Sequence, residues 1–124
     1  MTKSILFFFI FISLSSCYNH ERNCKDFKTG TFKFDFMVNG KKQTTTFHRN
    51  DSIEIETFQG KTDTSSVRWV NDCEYILTKK NPKTIQEKKS ISMRILTTSK
   101  KTYTFEFGLV GSDKKQQGVA TKID

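Results

Sequence analysis

The sequence predicts an all-β protein: a small antiparallel meander of about eight strands closed into a barrel, with a β-sandwich as the alternative. Three observations lead there. From Gly30 onward, apolar residues recur with a period of two, the spacing of a strand with one buried face. Short turn signals separate the runs, Asn39-Gly40 above all, and an Asn-Gly turn joins antiparallel strands. No stretch between them holds a helix long enough for the crossover that parallel strands need. Eight meandering strands close into a barrel that side chains fill or that holds one small ligand. Strands of about 6–9 residues are short for such a barrel, so the expectation is a squat barrel or a curved open sheet.

The elements follow in order. Phe32, Phe34, Phe36 and Val38 alternate with Thr31, Lys33, Asp35 and Met37 as the first strand. Asn39-Gly40 turns it, because a type I′ turn needs positive φ at both positions. Gln43 to His48 returns as a threonine-rich strand, and Arg49-Asn50-Asp51 reads as a turn. Ser52 to Phe58 alternates again, with Ile53, Ile55 and Thr57 on the core face and Glu54 and Glu56 facing outward. Gln59 to Thr64 reads as a polar loop. Val67 and Trp69 point inward from the fourth strand, Asn71-Asp72 turns tightly, and Cys73, Tyr75 and Leu77 make the fifth. Asn81-Pro82 is the one helical start, because Asn caps and Pro suits the first helical position; one or two turns, or a loop, are expected to follow. Ile91, Met93, Ile95 and Thr97 form a sixth strand, Tyr103, Phe105, Phe107 and Leu109 a seventh, and Val119, Thr121 and Ile123 an eighth.

The totals fit one small domain. The chain has 124 residues, enough for a single core. Four of its twelve Phe, namely Phe7, Phe8, Phe9 and Phe11, lie in the N-terminal apolar run. The formal net charge of +8 is uneven: Cys17 to Leu77 holds nine Lys/Arg against nine Asp/Glu, and Thr78 to Asp124 eleven against four. A one-sided basic field favours anionic surfaces or ligands; solubility, with lysines at loop tips, is the plainer account.

Residues 1–16 read as a secretory signal, with Lys3 near the start, Ile5 to Ile12 apolar, and small residues before Cys17. The run is too short for a spanning helix of about 20 apolar residues. Leu14-Ser15-Ser16-Cys17 resembles the lipobox of bacterial lipoproteins. That resemblance implies cleavage before Cys17, a diacylglyceryl thioether on its sulfur and an N-acyl chain such as palmitate. Several acyl chains at about 0.8 kcal/mol per buried CH2 hold a protein to a membrane almost permanently. Tyr18 follows in place of the Asp that holds such proteins at the inner membrane, so the outer membrane of the cell envelope is expected.

Residues 17–29 then form a lipidated N-terminus and tether, and 30–124 the barrel domain. Cys24 lies in the tether and Cys73 in the barrel. Outside the cytoplasm two thiols tend to pair, and a Cys24–Cys73 disulfide would staple the tether to the domain. The rivals are two free thiols, or a metal site with His20 and His48, although the spacing matches no zinc pattern.

Several stretches together resemble a group of small bacterial lipoproteins with a lipocalin-like β-barrel. They are the Cys17 lipobox, Phe27-Lys28-Thr29-Gly30-Thr31-Phe32, Arg49-Asn50-Asp51-Ser52, and Trp69 through Thr78 (Trp-Val-Asn-Asp-Cys-Glu-Tyr-Ile-Leu-Thr). The resemblance covers most of the chain after Cys17 and is weakest from Pro82 to Lys89 and at the C-terminus. It implies shape and location. It carries no activity, and therefore no catalytic residue.

The residues themselves offer little chemistry. His48, Arg49 and Asp51 adjoin a turn, where a His/Asp neighbourhood can do acid–base work but more often is a solvated loop. Glu54 and Glu56 stand about 6.5–7 Å apart along a strand, a glycosidase-like spacing, yet an outward polar face explains them. Trp69 beside Arg68 could stack on a sugar or headgroup, and core packing is the simpler role. No Gly-x-Ser-x-Gly or phosphate-binding glycine loop occurs. The expected function is a non-enzymatic binding or envelope role without cofactor or metal. The membrane, through Cys17, and a small apolar ligand, lipid or envelope protein are the expected partners; nucleic acid is not. Phe34, Phe36, Trp69, Tyr103 and Phe105 are the candidate ligand-binding residues. The alternatives are an interaction protein with a filled barrel, structural or inhibitory, and an envelope hydrolase.

Overall fold

Each strand pairs with its neighbours in sequence until the last folds back onto the first. The structure, a computed structural model, describes residues 22–124. Residues 1–16, expected as a signal, and Cys17, Tyr18 and His20 lie outside the described residues. The strands are β1 (Gly30–Val38), β2 (Lys41–Arg49), β3 (Ile53–Phe58), β4 (Lys61–Asn71), β5 (Glu74–Lys79), β6 (Ile91–Thr98), β7 (Thr102–Leu109) and β8 (Gln116–Lys122). They form a closed antiparallel barrel in the order β1 to β8. The closing seam is short: β8 meets β1 at Phe32–Lys122, Lys33–Thr121 and Phe34–Ala120.

The first turn forms as its residues dictate, with Asn39 at φ 50° and Gly40 at φ 76°. A second turn of the same kind sits where the sequence suggests a polar loop. Gln59 (φ 49°) and Gly60 (φ 75°) reverse the chain, so β4 begins at Lys61 and runs eleven residues to Asn71. Gly118 is required for a different reason. A Cβ there would lie 2.6 Å from the Phe34 ring and 2.8 Å from that of Phe105, so its absence lets those rings meet edge to face at 5.3 Å.

Alternation places one side-chain set inside the barrel, and at three points the inner set differs from the expected one. Arg49 is the last residue of β2, not part of a turn, and is fully buried. The turn that follows is held by Asn50, whose Oδ1 accepts from the Ser52 and Ile53 amides. In β3 the faces are exchanged: Glu54 is buried, and Glu54 and Glu56 line the interior. In β8 Ala120 is buried while Val119 and Ile123 are exposed. Between β5 and β6 the chain makes only a three-residue 3-10 turn, Gln86–Lys88. Thr84, not Asn81, sets it up: its hydroxyl accepts from the Glu87 amide, and Glu87 accepts from the Thr84 and Lys83 amides, the reciprocal pattern of a capping box.

The stretch before the barrel is part of the core. A 3-10 turn, Cys24–Phe27, buries Cys24 and Phe27 against Phe32, Ile95, Tyr103, Phe105 and Ala120. Cys24 is joined to Cys73 across 49 residues of chain. This plug closes the barrel end at which β1 begins and β2 ends. The other end, ringed by the β1–β2 and β3–β4 hairpins and the β5–β6 and β7–β8 loops, is the mouth.

Candidate functional site

The interior divides into a floor and a cup, and Arg49 makes the floor. Parity carries it inside, because Thr45, Phe47 and Arg49 alternate along the inner face of β2. Its donors are all used. Nε donates to the Lys28 carbonyl at 3.0 Å, and one terminal nitrogen to Glu54 at 2.9 Å and to the Tyr75 hydroxyl at 2.7 Å. The other donates to the Phe27 carbonyl and, at 3.4 Å, to the Tyr103 hydroxyl. The guanidinium also lies over the rings of Phe32 and Tyr75, each 4.7 Å from its carbon. Arg is the side chain whose planar fork suits such a site.

Burial alone would lower the Arg49 pKa, but Tyr75, Tyr103 and Glu54 around it outweigh that and raise it. It stays charged. Burial raises both tyrosines, Tyr75 strongly, so they remain neutral hydroxyls. Glu54 is raised by burial, with Arg49 offsetting part of the effect. Glu54 therefore holds its proton more tightly folded than unfolded. Its contribution to stability is fullest below its ordinary value of 4.5 and is lost as pH rises through its folded value. Glu54→Gln should flatten the fall in stability as pH rises above 4.5; urea titrations at a series of pH values above that point check this, and an unchanged slope would refute it.

Above the floor lies the cup, a hollow of about 300 Å3. Phe34, Phe36, Phe105 and Phe107 line one side, and Leu77, Ile91 and Met93 another. Thr45, Glu54 and Glu56 are its polar wall, with the Thr45 hydroxyl donating to Glu56 at 3.1 Å. A second hollow of about 330 Å3 shares Glu54, Glu56, Leu77 and Ile91 and runs under the β5–β6 loop to Lys79, Glu87 and Lys89. The volume sits at the lower end of small-molecule sites, and apolar walls with a few polar groups are their usual lining.

Of the candidate ligand-binding residues, the structure brings Phe34, Phe36 and Phe105 together in the cup. It does not bring Trp69 or Tyr103 there. Tyr103 is buried in the floor, and Trp69 packs on Tyr75 at 4.6 Å. Both belong to the packing that shuts the lower end. Sequence reasoning missed Thr45, Glu54 and Glu56 as cup residues and Arg49 as the floor. The usable signal was the run Thr45-Phe47-Arg49 continuing the strand's parity into the supposed turn. His48 does not join Arg49: it faces outside, where its Nδ1 and the Thr31 hydroxyl are 2.9 Å apart. Among the described residues no group of His, Cys, Asp and Glu is placed to hold a metal, and no helix is long and apolar enough to cross a membrane.

Comparison with known protein families, with curated proteins and with solved structures finds no match.

Proposed function

We propose that this chain is a membrane-anchored envelope lipoprotein, held through acyl chains on Cys17, that binds a small and largely apolar ligand without catalysing a reaction on it. The cup carries the reading. A hollow of about 300 Å3 walled by phenylalanines stands over a floor whose arginine has no donor to spare. A barrel working only through its outer surface has no need of such a hollow, since close packing is the default of protein interiors. The lipobox residues Leu14 to Cys17 support the anchor.

Filling the cup tests the binding role. Leu77→Trp should weaken binding of an apolar fluorescent probe at least about ten-fold while the β-type circular dichroism spectrum is kept. Equal binding by the variant would place the probe elsewhere and remove the support. Mass spectrometry of molecules that copurify with the native protein would then name the ligand class. For the anchor, Cys17→Ser should abolish lipid labelling and release the protein from membranes; unchanged attachment would exclude acylation of Cys17.

One observation favours a second reading. Glu54 and Glu56 share the inner wall, and burial raises Glu54 as it would a general acid. Against hydrolysis, a Glu54 oxygen already accepts from Arg49, which restrains the carboxyl from reaching a substrate. Release of an aryl alcohol from an aryl glycoside, lost in Glu56→Gln, would establish the hydrolase in place of the binding protein.

A further inference from the structure

The two ends of the barrel differ in charge. At the mouth, the β1–β2 hairpin carries Lys41 and Lys42, the β5–β6 loop Lys88 and Lys89, and the β7–β8 loop Lys114 and Lys115, all exposed. Lys61, Lys80 and Lys83 extend the ring. Most acids at this end are already engaged. Asp35 pairs with Lys42 at 3.3 Å, and Asp63 and Glu87 share Lys79 at 3.5 and 2.9 Å. At the closed end, Asp72 is paired with Lys28, and Asp26, Asp51 and Asp124 offset Lys25, Lys100 and Lys101. The mouth thus carries the larger share of the basic excess even with Asp113 among its lysines, while Arg22, Arg68, Arg94 and Lys122 lie elsewhere.

Apolar tips stand among those lysines. Ile85 is 79% exposed, Met37 66% and Val110 56%, and each projects from a hairpin or loop bordering the mouth. A soluble polyanion would meet the lysines and gain nothing from an exposed isoleucine. A bilayer uses both: ammonium groups meet phosphates, and short apolar side chains enter the boundary between headgroups and acyl chains.

We propose that the mouth of the barrel docks on an anionic lipid bilayer, the lysine ring supplying the attraction and Met37, Ile85 and Val110 entering the headgroup layer. This contact is separate from attachment through Cys17. The chain enters the barrel at the closed end, through the Cys24–Phe27 plug, and leaves there too, with Asp124 bonded to Thr31. The docked mouth opens the cup onto lipid, so an apolar ligand can pass between bilayer and cup without crossing water.

The test uses the full-length chain held on a sensor surface by a tag after Asp124, which leaves the mouth free. Vesicles of phosphatidylcholine alone are compared with vesicles containing about a third phosphatidylglycerol; any grip by residues 1–16 or by acyl chains is common to both. Anionic vesicles should be captured at least about ten-fold more, and the excess should vanish as salt rises from about 0.05 M to about 0.5 M. Charge reversal at Lys88→Glu, Lys89→Glu, Lys114→Glu and Lys115→Glu should remove it as well. Ile85→Ser with Val110→Ser should cut vesicle capture several-fold and leave binding of dextran sulfate unchanged. Equal capture of both vesicles overturns the proposal. So does vesicle capture indifferent to the Ile85 and Val110 changes, which would mark a surface for soluble polyanions. Leu77→Trp should leave capture intact, so failure of the cup and failure of the docking surface are told apart.

Discussion

Arg49→Met should destabilise the barrel by about 3–5 kcal/mol, the cost of removing one partner from a buried ion pair. Methionine fills much of the space but leaves Glu54 buried without its cation. It also strips donors from the Phe27 and Lys28 carbonyls and from Tyr75 and Tyr103. Unsatisfied buried acceptors each cost free energy in their own right. Arg49→Lys should recover only a part, since an ammonium has three donors and no planar fork. Adding Glu54→Leu to Arg49→Met should restore stability relative to the single change, because an apolar pair no longer strands a charge. Urea unfolding followed by circular dichroism gives each value. A loss below about 1 kcal/mol for Arg49→Met would show that the guanidinium network is not what holds the floor.

Reduction of the disulfide, or Cys24→Ser with Cys73→Ser, should cost roughly 4 kcal/mol in the chain-entropy model for a loop of this size, Cys24 and Cys73 being 49 residues apart. For a domain near 100 residues that is a fall in melting temperature well over about 10 °C. The loss should exceed that of an ordinary surface crosslink in its consequences. The bond holds the plug whose Phe27 and Lys28 carbonyls accept from Arg49, so loosening it exposes the floor. Melting curves with and without reductant decide the matter. Identical curves, together with two thiols that alkylate freely before reduction, would show that the bond does not form in the protein.

The barrel was legible because its strands alternate cleanly where aromatic residues mark the inner face. Phe32, Phe34 and Phe36 in β1, and Tyr103, Phe105 and Phe107 in β7, point where the pattern puts them. Alternation fails where both faces carry mixed residues. In β3, Ile53 and Ile55 look like the core face, but the buried guanidinium of Arg49 needs an anion, and pairing with Glu54 fixes the register the other way. In β8 the inner residues are Gly118, kept small by the rings of Phe34 and Phe105, and the fully buried Ala120, so hydropathy marks the wrong face. Three of the five proposed cup residues are in the cup. Trp69 and Tyr103 share its parity but stand lower along the barrel, and the height at which filling stops is a property of packing that a linear pattern does not encode. Pairing of Cys24 with Cys73 followed from the number of cysteines and the compartment expected for them, while the burial of Cys24 depended on Phe27 finding a place beneath the strands.

The shortness of the seam between β8 and β1 bears on how the chain finds its fold. Every other strand pair joins neighbours in sequence, so seven hairpin-like contacts can form with little chain to gather in. Only the Phe32–Lys122, Lys33–Thr121 and Phe34–Ala120 pairs, continued by the backbone bonds of Thr31 with Ile123 and Asp124, make β8 meet β1. Closing so long a loop for three residue pairs is entropically costly until the interior can reward it. The order expected is therefore an open, curling ribbon first and a ring last. The residues that reward closure are Phe32 and Ala120, both fully buried at the seam: the ring is fastened from inside, by the same wall of side chains that the finished barrel uses as its core.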